Sequence, residues 1–205
     1  VQLNLEGFYK SYFNSPMSVR DSIPIACKGD DYGIVGNEAV SSNGKGNAYG
    51  LEFLARWQDR NRGSASASIT LFRSTYEDIP SAWDNRFIVS LNGNFILPKL
   101  GVLGQHWSVG YKYRFLGGVP YTPYNEELSS LIAVWDIRKK PVPDYSRYNR
   151  LGLGNLSQLD LRIDKSWYYS HWMLRCYLDI QNILAGNYKE QAIYLSTGQI
   201  NPEDT

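Results

Sequence analysis

The chain has 205 residues, which is enough for one β domain or for part of a larger one. Its 21 Lys and Arg residues are balanced by 20 Asp and Glu residues, so it lacks the basic excess that is typical of a nucleic-acid-binding protein. The chain contains no run of 18 apolar residues, so no transmembrane helix is predicted. Its 16 Tyr, 7 Phe and 6 Trp residues suit an interface between an apolar and an aqueous environment.

Apolar and polar residues alternate along most of the chain, and this period of two predicts β-strands with one apolar and one polar face. No helical stripe is found. The pattern predicts seven strands, or eight if another begins near Ala192. In chain order the seven are Val1–Tyr12, Ala48–Trp57, Ser64–Ser74, Arg86–Leu97, Trp107–Phe115, Leu159–Trp167 and Trp172–Leu184.

The connections between these strands alternate in length. Long or moderate segments span Phe13–Asn47, Asp78–Asp84 and Leu116–Ser157, and short turns span Asp59–Gly63, Pro98–Gln105 and Tyr168–His171. Outer-membrane β-barrels have short turns on one side and long extracellular loops on the other. The sequence therefore predicts an all-β, antiparallel up-and-down meander that forms part of a transmembrane β-barrel.

Six aromatic residues share the apolar parity of their strands and lie near the strand ends: Tyr49, Trp57, Trp107, Phe115, Trp167 and Trp172. Eight residues separate Tyr49 from Trp57 and Trp107 from Phe115. Eight steps cover about 26 Å of strand, or about 20 Å of height at a tilt near 40°. We therefore interpret the six residues as two aromatic girdles around a membrane-embedded band. The core of a β-sandwich is the alternative interpretation.

The polar face carries charges of both signs, which a wet or plug-filled lumen tolerates better than a dry core does. These residues are candidates for solute or plug contact, or for cross-strand ion pairs that set the register. They are Glu6, Lys10, Glu52, Arg56, Lys112, Arg114, Asp160, Arg162, Asp164, Arg175 and Asp179.

The longest connection supplies the candidate ligand-binding residues, because aromatic and Arg side chains suit recognition of many solutes. They are Tyr121, Tyr124, Trp135, Tyr145, Arg147 and Tyr148. Packing of the loop against its neighbours is the alternative role. Asp136, Arg138, Lys139 and Lys140 are interpreted as solvated charge. We expect no catalytic residues, no cofactor and no metal site, since the two cysteines and two histidines lack the spacing that such chemistry needs.

Several segments together resemble the C-terminal barrel portion of TonB-dependent outer-membrane receptors, in particular those of the Bacteroidetes type. The segments are FYKSYFN (Phe8–Asn14), AYGLEFLARW (Ala48–Trp57), WDNRFIVSLNGNFILP (Trp83–Pro98), YRFLGGVPYTPYN (Tyr113–Asn125), LDLRIDKSW (Leu159–Trp167) and LDIQNILAGNY (Leu178–Tyr188). The resemblance extends over nearly all of residues 1–205. Neither the family's plug domain nor its energy-coupling box is found, and a terminal aromatic strand is missing, so we expect a segment truncated at both ends.

The resemblance implies a function in which the whole receptor takes up a scarce solute, of the siderophore, glycan, peptide or cobalamin class, with TonB-derived energy. It implies a location in the outer membrane of a Gram-negative cell. The expected partners are membrane lipid, the missing plug and barrel strands, the TonB system through the plug, and a small solute. Two alternatives remain open at this point: a small closed outer-membrane barrel, and a secreted β-sandwich binding module.

Overall fold

The computed structural model of the protein describes residues 1–29, 39–99 and 104–186. Most of these residues belong to one antiparallel sheet in which each long strand pairs with the next long strand along the chain. The long strands are β1 (Gln2–Ser18), β2 (Val40–Asp59), β3 (Gly63–Tyr76), β5 (Phe87–Ile96), β6 (Trp107–Leu116), β9 (Leu156–Tyr168) and β10 (Met173–Ile180). The predicted up-and-down meander is confirmed. The sheet is open, with β1 and β10 at its two edges.

The remaining elements are short and lie in the connections. The two-residue strand β4 (Ile79–Pro80) pairs with β3, and β7 (Pro120–Tyr121) pairs with β8 (Leu151–Gly152). Three short α-helices are α1 (Ile25–Lys28), α2 (Glu126–Ser129) and α3 (Ile132–Arg138), and a single turn of 3-10 helix spans Tyr145–Arg147. The sequence predicted none of these helices, because segments of four to seven residues are too short for a helical period to show. None of the helices within the described ranges has the length and hydrophobicity needed to span a bilayer.

Strands β1 and β2 are longer than predicted. They extend into the segment Phe13–Asn47, and their connection is reduced to residues 19–39. The register between the two strands shifts on either side of Ser15, which marks a β-bulge. A bulge breaks the alternation of side chains, and the extension is rich in Ser, Asn and Gly. The alternation of apolar and polar residues therefore stops before the hydrogen-bonded pairing of β1 and β2 does.

The last described strand is shorter than predicted, ending at Ile180 instead of Leu184. The chain turns at Asn182, which has a φ of 51°. The Asn182 backbone N–H donates to the Asp160 carboxylate at 2.9 Å, and the Ile183 N–H donates to the Leu159 carbonyl at 2.9 Å. The segment therefore continues beside β9 in a non-strand conformation. The eighth strand considered near Ala192 lies outside the described residues.

The three connections at one end of the sheet join β1 to β2, β3 to β5 and β6 to β9. They are called loop A (residues 19–39, described at 19–29 and 39), loop B (residues 77–86) and loop C (residues 117–155). The opposite end carries the connections 60–62, 97–106 (described at 97–99 and 104–106) and 169–172. Loops A and C are much longer than the turns 60–62 and 169–172, as predicted. The two middle connections, 77–86 and 97–106, have equal length, so the alternation is weaker there than the sequence suggested.

Candidate functional site

The register places most of the apolar residues of the seven long strands on one face of the sheet. Across the first four of these strands, Leu5 pairs with Phe53, Phe53 with Ile69, and Ile69 with Val89. Across the last three strands, Tyr111 pairs with Leu161 and Leu161 with Ile180. Directly opposite residues in antiparallel strands point to the same side. The apolar parity of the separate strands therefore adds up to one continuous surface, which we call the apolar face.

The apolar face is not covered by a second layer within the described ranges. Its residues remain partly or largely accessible, including Leu5 at 72%, Leu51 at 55% and Leu178 at 59%. The buried hydrophobic residues of the described chain are Ile23, Cys27, Val142 and Tyr148, and all four lie in loops A and C. A water-soluble β-sandwich would instead pack a second sheet about 10 Å from this face.

Aromatic rings lie at both ends of the apolar face. At the end with the short turns, Trp57 stacks on Phe95 with ring centroids 6.0 Å apart, and the Lys165 ammonium lies 5.1 Å from the Trp107 ring and 5.5 Å from the Trp167 ring. Lys165 pairs with Trp107 in the ladder, and its ammonium donates to the Gln105 carbonyl. This geometry is typical of a long basic side chain that reaches from an apolar surface towards a polar rim.

The other end of the apolar face carries a second aromatic row. Tyr9 pairs directly with Tyr49, and the rings of Phe87 and Phe115 stack with centroids 5.1 Å apart. Of the six predicted girdle residues, five lie in strands on the apolar face at its two ends. Trp172 lies in the turn 169–172 instead, where its ring stacks on Tyr169 at 3.9 Å. It still occupies the end at which the sequence placed it.

The opposite face carries the charged residues and is called the polar face. Arg162 lies on β9, beside the edge strand β10, and is 3.1 Å from Asp164 on the same strand and 3.4 Å from Asp179 on β10. Its guanidinium lies over the Tyr177 ring at 3.9 Å. Arg114 donates to Gln158 at 2.7 Å. The contacts of Arg162 with Asp179 and of Arg114 with Gln158 join adjacent strands and support the register role considered for the charged residues, whereas Arg162 and Asp164 belong to the same strand. A different arrangement occurs where Glu6 pairs with Glu52, because two like charges directly opposite each other tend to destabilise a sheet.

Loops A, B and C pack together into a compact cap over one end of the sheet. Ile23, Cys27 and Tyr148 form its buried hydrophobic cluster, with Tyr76 and Ile79 packed against them. The Cys27 side chain is 1% exposed. Burial raises the pKa of the Cys27 thiol to about 12, so it stays protonated at neutral pH.

Asn149 of loop C joins the three loops. Its side-chain amide donates to the Cys27 carbonyl of loop A at 2.6 Å and to the Pro80 carbonyl of loop B at 2.9 Å. Its backbone N–H donates to the Thr122 hydroxyl at 3.1 Å. Asn149 has a φ of 51°, a left-handed conformation that Asn adopts more readily than most residues. One buried side chain therefore satisfies backbone acceptors from two other loops.

Asp84 anchors loop B to the end of β3. Its carboxylate accepts from the Ser74 backbone N–H at 3.0 Å and from the Arg73 guanidinium at 3.1 Å, and the side chain is almost fully buried. Burial raises the pKa of Asp84 above its usual value, although both donors favour the charged form. The Asn85 side chain then donates to the Gly117 carbonyl at 3.2 Å, which ties loop B to the start of loop C.

Two cavities of this cap are lined by residues of loop C. A cleft of about 700 Å³ lies between loops A and C and is lined by Arg20, Asp21, Lys28, Arg138, Lys140, Pro143, Tyr145 and Tyr148. A smaller cavity of about 350 Å³ lies beside it and includes Tyr121, Tyr124 and Trp83 in its lining. Both volumes fall within or near the range of small-molecule sites. We call the larger one the basic cleft, because four of its lining residues are cationic.

The structure divides the six predicted ligand-binding residues. Tyr145 and Tyr148 line the basic cleft, with their rings stacked at 6.1 Å, and Tyr121, Tyr124 and Tyr148 line the smaller cavity. Trp135 and Arg147 lie outside both cavities. The Trp135 indole N–H donates to the Ser129 carbonyl at 2.7 Å, which is a packing contact within loop C.

The sequence interpretation missed the cationic residues of the cleft. Arg138 and Lys140 were interpreted as solvated charge, and Arg20 and Lys28 were not singled out. Both members of the first pair are exposed, as expected, but they also line the cleft. A local signal existed in the run Arg138-Lys139-Lys140. The contribution of Arg20 and Lys28 depends on the packing of loop A against loop C, which no local pattern reveals.

The described residues contain no group of three or more His, Cys, Asp or Glu side chains arranged to hold a metal ion. Comparison of the chain with protein-family models, with curated proteins and with solved structures found no match.

Proposed function

We propose that this chain forms barrel wall and extracellular loops of an outer-membrane receptor of the TonB-dependent kind, which takes up a scarce solute. The observation that carries the proposal is the uncovered apolar face, which is continuous over seven strands and has aromatic rings at both ends. Lipid is the environment that such a face suits, because a bilayer solvates apolar side chains and the ladder satisfies the backbone.

The polar face then lines a lumen that contains water or a plug. A network such as Arg162 with Asp164 and Asp179 is tolerated there, since neither charge sign needs to be buried in a dry core. The loop cap stands at the extracellular end, where a solute first meets the receptor. The basic cleft and the smaller cavity beside it offer the concave surfaces that small-molecule recognition requires. The transport step itself rests on the resemblance to the receptor family, whose plug couples uptake to TonB.

Depth-dependent fluorescence quenching tests this proposal on the 205-residue chain reconstituted in phosphatidylcholine vesicles. Trp57 lies on the apolar face and Trp135 lies in the loop cap, so we compare the unaltered chain with Trp57→Phe and Trp135→Phe. Lipids brominated near the headgroup should quench the unaltered chain, and Trp57→Phe should remove more of this quenching than Trp135→Phe does. Aqueous iodide should show the reverse order.

The proposal fails if Trp57 is open to iodide and insensitive to brominated lipid while the chain is bound to the vesicles. It also fails if the chain remains monomeric and cooperatively folded in plain buffer with no affinity for vesicles. In that case the apolar face would be compatible with water, which its exposed leucines and aromatics argue against.

A further inference from the structure

The basic cleft has an excess of positive charge among the described residues that line it. Arg20, Lys28, Arg138 and Lys140 contribute four cations, and Asp21 contributes one carboxylate. The guanidinium groups and ammonium groups come from two loops that are far apart in sequence and are brought together by the cap. Such a cluster of like charges repels itself, and an anion that enters the cleft relieves this repulsion.

Asp21 is already engaged by the cations beside it. Its carboxylate lies 2.9 Å from the Lys28 ammonium and 3.9 Å from the Arg20 guanidinium. Burial acts to raise the pKa of Asp21, but hydrogen bonds from Lys28, from the Ile23 backbone and from Ser18 outweigh this effect and lower it. Asp21 is therefore ionised at neutral pH and neutralises about one of the four cations. Arg138 and Lys140 are exposed residues of loop C that line the same cleft, and no ion pair joins either of them to Asp21 in the described part of the chain.

The size and the aromatic wall of the cleft favour a small solute. Its volume of about 700 Å³ suits a molecule of drug-like size. The stacked pair Tyr145 and Tyr148 forms part of the wall, with Tyr145 exposed and Tyr148 buried beneath it. A tyrosine face supplies contact area at low cost in side-chain entropy, and Arg and Lys supply directed donors to carboxylate or phosphate oxygens.

We infer that the basic cleft between loops A and C binds a small anionic solute through carboxylate or phosphate groups, held by Arg20, Arg138 and Lys140 against the Tyr145 ring. This inference rests on the proposed function, because it names the chemical class of the solute that the loop cap would capture. It also assigns a binding role to Arg138 and Lys140, which were interpreted from the sequence as solvated charge.

Binding of inorganic pyrophosphate to the full chain in zwitterionic detergent micelles tests the inference, with maltose as a neutral probe that also fits the cleft volume. Pyrophosphate should bind and maltose should not, and raising NaCl from low concentration to 0.3 M should weaken the binding because salt screens exposed charges. The double variant Arg138→Gln/Lys140→Gln should bind pyrophosphate on the order of ten-fold more weakly.

The matched control is Lys99→Gln/Lys139→Gln, which removes the same net charge from residues that do not line the cleft. Lys139 lies between the two test positions in sequence, and Lys99 lies at the opposite end of the sheet. The control should bind pyrophosphate within about two-fold of the unaltered chain. Far-ultraviolet circular dichroism should show the same sheet content in all three proteins.

Three outcomes would overturn the inference: no binding of pyrophosphate, equal weakening in the test and control variants, or binding to vesicles of anionic lipid without binding to pyrophosphate. The last outcome would assign the cations to lipid headgroups. The result is independent of the quenching experiment. A cleft that binds pyrophosphate in a chain that does not insert into bilayers would retain the anion site and reject the membrane wall, and the converse result would do the opposite.

Discussion

Asn149 provides the sharpest test of how the loop cap is held together. Replacing Asn149 with Gly removes the side chain while keeping the left-handed backbone conformation accessible. The carbonyls of Cys27 and Pro80 then lose donors that now lie at 2.6 Å and 2.9 Å. Each buried acceptor left unsatisfied costs about 1–3 kcal/mol. Because the Pro80 carbonyl is only partly buried and water reaches it, we expect a combined cost of about 2–4 kcal/mol.

A second substitution separates the hydrogen bonds from the backbone conformation. Asn149→Ala removes the same donors and also places an alanine at a φ of 51°. The left-handed region adds about 1–2 kcal/mol for an ordinary L-residue. Asn149→Ala should therefore be less stable than Asn149→Gly by about this amount. The order is opposite to the one that helix or strand propensity would give, since glycine is normally the more destabilising residue.

Amide hydrogen exchange measures the effect where it should occur. The free energy of opening for the described part of loop A, and for loops B and C, should fall by the amounts above, while the centre of β3 and β5 keeps its protection. Asn155→Ala is the matched control, because Asn155 accepts one exposed hydrogen bond from the Gly118 N–H at 3.1 Å. Its loss should cost less than about 1 kcal/mol. If both Asn149 variants stay within about 0.5 kcal/mol of the unaltered chain, the three loops do not depend on this residue.

Leu161→Arg on the apolar face should lower the free energy of unfolding in a bilayer by about 2–4 kcal/mol, whereas Leu54→Arg on the polar face should lower it by less than about 1 kcal/mol. Urea unfolding measures both values, and equal losses would contradict the assignment of the faces. In the Cys176→Ser variant in detergent, a maleimide should leave Cys27 unmodified until the chain unfolds, because Cys27 is buried and its pKa is raised to about 12. Mass spectrometry with and without denaturant checks this, and labelling of Cys27 without denaturant would contradict its burial. The pKa of Asp21 is lowered in the folded chain, so its stabilising contribution is present above the unfolded pKa near 3.8 and is lost as pH falls through the lower folded value. Asp21→Asn should therefore remove this part of the acid sensitivity of the cap. An acid-unfolding titration that the substitution leaves unchanged would contradict the pairing of Asp21 with Lys28.

The strands and their faces could be predicted from the sequence, because a period of two is a local property of each segment. All seven predicted strands are present, and directly paired residues such as Phe53 and Ile69 share the apolar parity assigned to each separately. The meander order also followed from local evidence, since a short turn such as residues 60–62 can only join antiparallel neighbours. The strand ends were less predictable where a bulge at Ser15 or a turn at Asn182 interrupted the period.

The loop cap was decided by tertiary structure alone. Asn149 and Cys27 are 122 residues apart in sequence, and neither belongs to a segment with a hydrophobic period that would predict their contact. Tyr148 was chosen as a ligand residue because it is aromatic, yet packing buries most of its ring in the cluster with Cys27. The basic cleft exists only because loop A brings Arg20 opposite Arg138 of loop C. Alternation encodes which face of a strand is apolar, whereas the meeting of irregular loops depends on long-range contacts that local patterns do not record.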